Sequence, residues 1–377
     1  MAVEAVSATV LAPSTPRVGI LGETSYGVSL DSSGADGKNY RKLPVVQAVP
    51  PTISRVRESR LLSGAGLVKK STDTFIAASG RGGTVTMPFD MLATPKLTSQ
   101  MLGLVCQEAS HSSSVITHEI GGQGSMLSAV GGTISSQIPH TVQLAYDTGT
   151  AGEGIRINGC LLSDLTMTMA SGSNNNQMSL SGNFYSGHSF MNTGNAQTTS
   201  AVEQDFSGGS WVAPETTYFS MNDISAKFLT VDDDTDGSTL VFNNFSLSIS
   251  NGANRSSGGN SDGDAEYIAL PEYAVTGSIS IKYDANFDYG GGMNVLQDFL
   301  AGSTETLTIK IGDGTVSAVG EMNIVLNVQY TEVGQDLSES GIFHTLGFEG
   351  VSTGTGDGNE AVQITNYAGE AITAWTT

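Results

Sequence analysis

The sequence predicts a mainly β chain, arranged as two similar units with one helix each. Three observations predict this. Short segments that alternate apolar with small polar residues recur along the chain, only two stretches carry helical spacing, and the two halves resemble each other. Composition agrees, with 47 glycines in 377 residues and 14% charged residues, against about a quarter in ordinary soluble domains. Many turns and much buried surface suit that profile better than a helical enzyme does.

Residues 1–50 hold prolines, glycines and serines with little periodicity, which predicts an extended N-terminal arm. From there ISRVRES (53–59), GTVTMPFD (83–90), TVQLAY (141–146), LTMTMA (165–170) and QMSLSGNFY (177–185) alternate with the strand period of two. TPKLTSQMLGLVCQEA (94–109) is the helix of this half, with Thr94 as cap, Pro95 in the first turn and Leu97, Met101, Leu104 and Val105 on one face. These elements define a first β unit over 51–190. Residues 191–216 are polar and aperiodic and predict a linker.

The second half repeats the pattern over 217–350. FSLSISN (245–251), EYAVTGSISIKYDA (272–285), ETLTIKIGD (305–313), MNIVLNVQYTEV (322–333) and FHTLGFEG (343–350) read as strands, and GGMNVLQDFLAGS (291–303) as a helix ending at Gly302. Residues 351–377 are a C-terminal extension, one more strand pair or a segment reaching a neighbour.

Two registers relate the halves. One sets LSDLTMTMASG (162–172) on FNNFSLSISNG (242–252), and the next strands also agree, MSLSGNF (178–184) against AVTGSIS (274–280), both with a hydroxyl residue before glycine. The other runs through the helices and sets TVTMPFDMLATPKLTSQMLGLVCQE on AVTGSISIKYDANFDYGGGMNVLQDFL. Both stay open, as does the alternative of one large β domain with similar hairpins.

The net charge of −21 excludes a grip on nucleic acid through its phosphates, which needs clustered lysine and arginine. Two cysteines, Cys106 and Cys160, exclude a disulfide framework and suggest synthesis in a reducing compartment. No apolar run is long enough to span a membrane, and the N-terminus lacks the basic start of a signal peptide.

Chemistry-bearing patterns are sparse. Asp232, Asp234, Asp236 and Gly237 match the first half of a calcium loop, but Asn243 stands where the closing glutamate belongs and the flanks read as strands. A hairpin turn is the plainer reading, with a weak divalent-ion site as the alternative. NSDGDAE (260–266) reads as a flexible loop. The five histidines show no zinc spacing, and neither a GxSxG elbow nor a phosphate loop is present. The tyrosines and Trp211 and Trp375 suit a core or subunit contact better than a sugar platform. No enzyme and no cofactor are expected.

Taken together, ISRVRESRLLSGAG, GTVTMPFDMLATPKLTSQMLGLV, FNNFSLSISNG and EYAVTGSISIKYDANFDYGGGMNVLQDFL resemble the tail tube proteins of long-tailed bacteriophages, over about residues 45–350. The resemblance implies a β-sandwich or barrel with a flanking helix. It also implies subunits that close into rings with a continuous inner β-barrel, and rings stacked into a tube that conducts DNA. On that reading the chain's partners are copies of itself, three per ring if both units line the lumen or six if one does, together with tail terminator and tail tip proteins. DNA would pass without specific binding along a negative wall. Arg55, Arg57 and Arg60 would oppose acidic patches between stacked rings. A decoration or baseplate protein, or a β-sandwich adhesin, is the alternative.

Overall fold

The computed structural model describes residues 17–22, 40–45, 52–54, 57–59, 74–76, 84–112, 114–121, 140–146, 153–171, 176–186, 211–212, 217–219, 229–233, 238–252, 254–257, 265–269, 273–282, 295–311, 316–338, 341–354 and 358–367. The first half contains β1 (Arg17–Gly22), β2 (Tyr40–Lys42), β3 (Thr52–Ser54), β4 (Arg57–Ser59), β5 (Thr74–Ile76) and β6 (Thr84–Leu92). After α1 (Pro95–Val105) come β7 (Gln107–Ser112), β8 (Val115–Gly121), β9 (His140–Tyr146), β10 (Glu153–Ala170), β11 (Ser179–Ser186) and β12 (Trp211–Val212). The second half contains β13 (Leu229–Asp233), β14 (Ser238–Ser250), β15 (Asn254–Ser257), β16 (Ala265–Ala269) and β17 (Ala274–Lys282). It ends with α2 (Val295–Ala301), β18 (Glu305–Ile311), β19 (Met322–Ser338), β20 (Gly341–Gly350) and β21 (Glu360–Tyr367). The chain is thus mainly β, as the alternation predicts.

Most of the strands form two closed rings joined by the pairing of β10 with β14. In the first, β1 pairs with β2, the β2–β3 line pairs with β6 through Val45↔Met91 and Ile53↔Val85, and β6, β11, β10 and β9 lead back to β1. In the second, β13, β14, β17, β20, β19 and β18 follow one another and close on β13. Both rings use their strands in the same chain order. Each also inserts a small hairpin before its third strand, β4–β5 in the first and β15–β16 in the second, and places its helix after that strand. The ring order therefore matches the register through the helices, which brings Val85 of β6 onto Val275 of β17. In that register Val85 faces Ile53, and Val275 faces Ile249.

The match extends to irregularities. In the first ring Cys160 is the residue where β10 changes partner, from His140 to Ser186, and three positions on Ser163 is bulged out between Leu162 and Asp164. In the second ring Val328 makes the same change, from Glu305 to Gly350, and Thr331 bulges between Tyr330 and Glu332. By contrast, 162–172 and 242–252 are neighbours, not counterparts: β10 and β14 run antiparallel with Met167 opposite Leu247. Their likeness reflects one shared task, alternating a buried and a half-exposed face across the same seam.

Local chemistry explains the helices. Thr94 accepts a bond from Leu97 N at 3.4 Å, and Pro95 needs no N–H partner in the first turn. The helix stops at Val105, short of the expected 109, because Gln107 onward pairs with β8. Tertiary pairing outweighs helix propensity there. The shorter α2 ends at Gly302, whose φ of +66° lets Ser303 N and Gly302 N bond back to Asp298 O and Phe299 O. Each helix packs on the fifth strand of its ring, α1 on β10 and α2 on β19.

Other expectations are revised. ISRVRES is two strands in separate sheets, β3 and β4. Strands β1 and β2 lie within the stretch expected to be an arm, and β12, in the expected linker, pairs in parallel with β2. In the C-terminal extension, β21 pairs with both β19 and β8. Asn366 fastens it to the first helix, donating to Pro95 O at 2.9 Å and accepting from the Ser99 hydroxyl.

Candidate functional site

Strands of both rings merge into one antiparallel sheet with the order β3–β6–β11–β10–β14–β17–β20–β19. Alternation gives this sheet two different faces. Phe89, Leu180, Met167, Leu247, Ile279 and Leu346 point into the core and are buried. The other face presents, across successive strands, Asp90, Ser181, Thr166, Ser248, Thr276, Glu349 and Gln329. That row is small, hydroxyl-rich and acidic, and holds no lysine or arginine.

Hydrogen bonds fix the polar face at the seam. Thr166 Oγ1 donates to Ser248 Oγ at 3.0 Å. The bulged Ser163 turns its hydroxyl onto Asp164 Oδ1 at 2.7 Å, while Asn183 Nδ2 donates to both oxygens of Asp164 at 3.0 Å. Asn251, buried at the seam's end, donates to Leu162 O at 2.6 Å. Asp90, Glu332, Asp336 and Glu349 are exposed and carry the face's negative charge into solvent.

Two glycines let neighbouring groups approach the sheet closely beneath that face. A Cβ on Gly277 would sit 2.4 Å from Phe348 Cζ and 2.5 Å from Ser246 O. One on Gly182 would sit 2.2 Å from Asp164 O.

The edges of the sheet differ from its seam. Within the chain, β14 covers one side of β10 from Asp164 to Ala170. The corresponding side of β19, past Thr331, faces no strand among the described residues, nor does the outer side of β3. The consequence is visible in exposure. Met169, six positions past the bulge in β10, is 1% exposed, whereas Leu337, six past the bulge in β19, is 75% exposed.

The candidate residues from the sequence are dispersed. Asp232 lies in β13 opposite Thr239 and Thr308; Asp234 and Asp236 fall outside the described residues. Arg57 opens β4 opposite Ile76, while Arg55 and Arg60 are outside the described residues. Sequence reasoning missed Arg255, which occupies the matching place in the second hairpin, opposite Ile268. The signal was present as R-x-S in both, Arg57-Glu58-Ser59 and Arg255-Ser256-Ser257.

A family model described as phage tail tube protein matches residues 14–371. The chain belongs to the phage tail tube protein family. This tail tube protein is therefore a structural component of the virion tail, whose family assembles with copies of itself. No curated protein matches it. Among the described residues no helix is long and apolar enough to cross a membrane, and no group of three metal-ligating side chains occurs.

Proposed function

We propose that this tail tube protein closes into rings of three chains, stacks those rings into the tail tube, and lines the lumen with the polar face of its long sheet. The observation that carries the reading is the single sheet to which both halves of the chain contribute four strands. Three chains then supply ~24 strands. Barrels of 16–18 strands already leave an aqueous channel, so a wall of this size leaves a wide lumen. Each chain is read as two copies of one unit, so three chains give six units.

A DNA duplex crossing this lumen meets the hydroxyls and carboxylates of the row from Asp90 to Gln329. Like charge keeps phosphates a water layer away, and that row holds the water without offering a cation to bind. The duplex slides because nothing holds it. The two hairpins, β4–β5 with Arg57 and β15–β16 with Arg255, project from equivalent places in the two units and suit contacts with acidic residues of the next ring. Terminator and tip proteins cap the two ends of the tube.

The test is electron microscopy of the purified chain over a range of concentration, followed by helical reconstruction. Hollow tubes with three chains per ring are expected. Closed small oligomers alone, even with a tail tip as seed, would move the protein to a decoration or baseplate role.

A further inference from the structure

We infer that the open side of β19 is closed by β3 of a second copy, in the register that β14 adopts on β10 within one chain. The contact pairs Glu332 with Ser54, Val333 with Ile53 and Gly334 with Thr52 of the neighbour. This rests on the ring reading above and specifies which edges join and how.

The internal seam supplies the template. There Asp164 faces Ser250, Leu165 faces Ile249 and Thr166 faces Ser248. Counting from the bulged residue, Asp164 and Leu165 of β10 correspond to Glu332 and Val333 of β19. Counting through the third strand of each ring, Ser250, Ile249 and Ser248 correspond to Ser54, Ile53 and Thr52. The chemistry repeats with the geometry: an acid and an aliphatic residue on one strand, hydroxyl-isoleucine-serine on the other. Glu332 is exposed and Val333 half-buried here, where Asp164 is half-buried and Leu165 buried. A neighbouring strand would remove that difference.

Charge and edge chemistry agree. The open side of β19 carries Glu332 and Asp336, and Ser54 is followed in sequence by Arg55, where the internal seam has Asn251. Arg55 is next in sequence to the residue set opposite Glu332, so opposite charges approach across the external seam and can pair. Pro50 and Pro51 precede Thr52 and donate no backbone hydrogen bond, which confines the ladder to Thr52–Ser54 and blunts the edge against random pairing. Because the two joined edges differ, the contact is head-to-tail and propagates around a ring until it closes.

Cysteines at Ser54 and Glu332 in one otherwise native chain test the register by oxidation of assembled protein. The expected result is a covalent ladder ending at closed three-chain species on a non-reducing gel, with tubes retained by electron microscopy. Tubes that form while this pair stays uncross-linked, and a pair shifted along β19 cross-links instead, would overturn the seam and leave the tube reading intact. Absence of any ring or tube from the native chain would overturn both. Charge reversal gives an independent readout: Glu332→Arg or Arg55→Glu alone abolishes polymer, and the two together restore it. Failure of the double variant to polymerise, with both chains folded by circular dichroism, would remove the ion pair from the account.

Discussion

Met167 and Leu247 face each other at the middle of the β10–β14 seam, and both side chains are fully buried. They tie the two rings into one body. Alanine at either position leaves a cavity in a core that has little freedom to collapse, and should cost about 2–5 kcal/mol. Urea unfolding checks this. Alanine at exposed Leu337 should leave the isolated chain's stability within about 0.5 kcal/mol of native while weakening polymerisation.

Gly277→Ala should destabilise strongly, because the new methyl meets both the Phe348 ring and the Ser246 carbonyl. A loss of about 1–3 kcal/mol follows from overpacking, read as a lower thermal midpoint. Gly358→Ala is the contrast. Its Cβ meets nothing within 4 Å, but its φ of +85° imposes a smaller backbone cost of about 1 kcal/mol.

Acid should unfold this protein partly through His118. Burial pushes its imidazole down from 6.5 to about 3, and neither ring nitrogen has a hydrogen-bond partner among the described residues. The folded pKa lies below the unfolded one, so the unfolded state takes up the proton first. Stability from this group is full above pH 6.5 and falls as pH drops toward 3, by up to ~1.4 kcal/mol per unit. His118→Leu should flatten that part of the pH profile in urea titrations.

Arg57→Glu together with Arg255→Glu should spare single rings and shorten or abolish tubes, since both hairpins lie outside the continuous sheet. Sedimentation separates rings from tubes. Tubes of native length from the double variant would remove the hairpins from ring stacking.

Lysine at Asp90 and Thr276 should leave tube length unchanged and slow DNA ejection. The defect should ease with added salt, because phosphate contacts are screened and weakened by competing counterions.

The fold was legible where one strand property sufficed. Alternation located β6, β11, β14 and β18 because each buries one face and half-exposes the other. Thr94, Pro95 and Gly302 marked helix ends because capping is local chemistry. Strands β1 and β2 were hidden, since RVGILG and YRK are too short or too uniform to show a period of two, and their pairing is decided by distant segments, β9 for β1 and β12 for β2. The two registers could not be separated by sequence because β10 and β14 are alike for packing reasons, while β6 and β17 are alike by place in the ring. The open edge of β19 was equally invisible. Glu332 and Leu337 stand out only once Asp164 and Met169 are seen covered at the matching positions.

The most direct measurement is a helical reconstruction of the assembled tube at side-chain detail. Three chains per ring are expected, with Asp90, Thr166 and Glu349 facing the lumen and β19 against the neighbour's β3. Six chains per ring, or that row of residues turned to the outside of the tube, would contradict that arrangement.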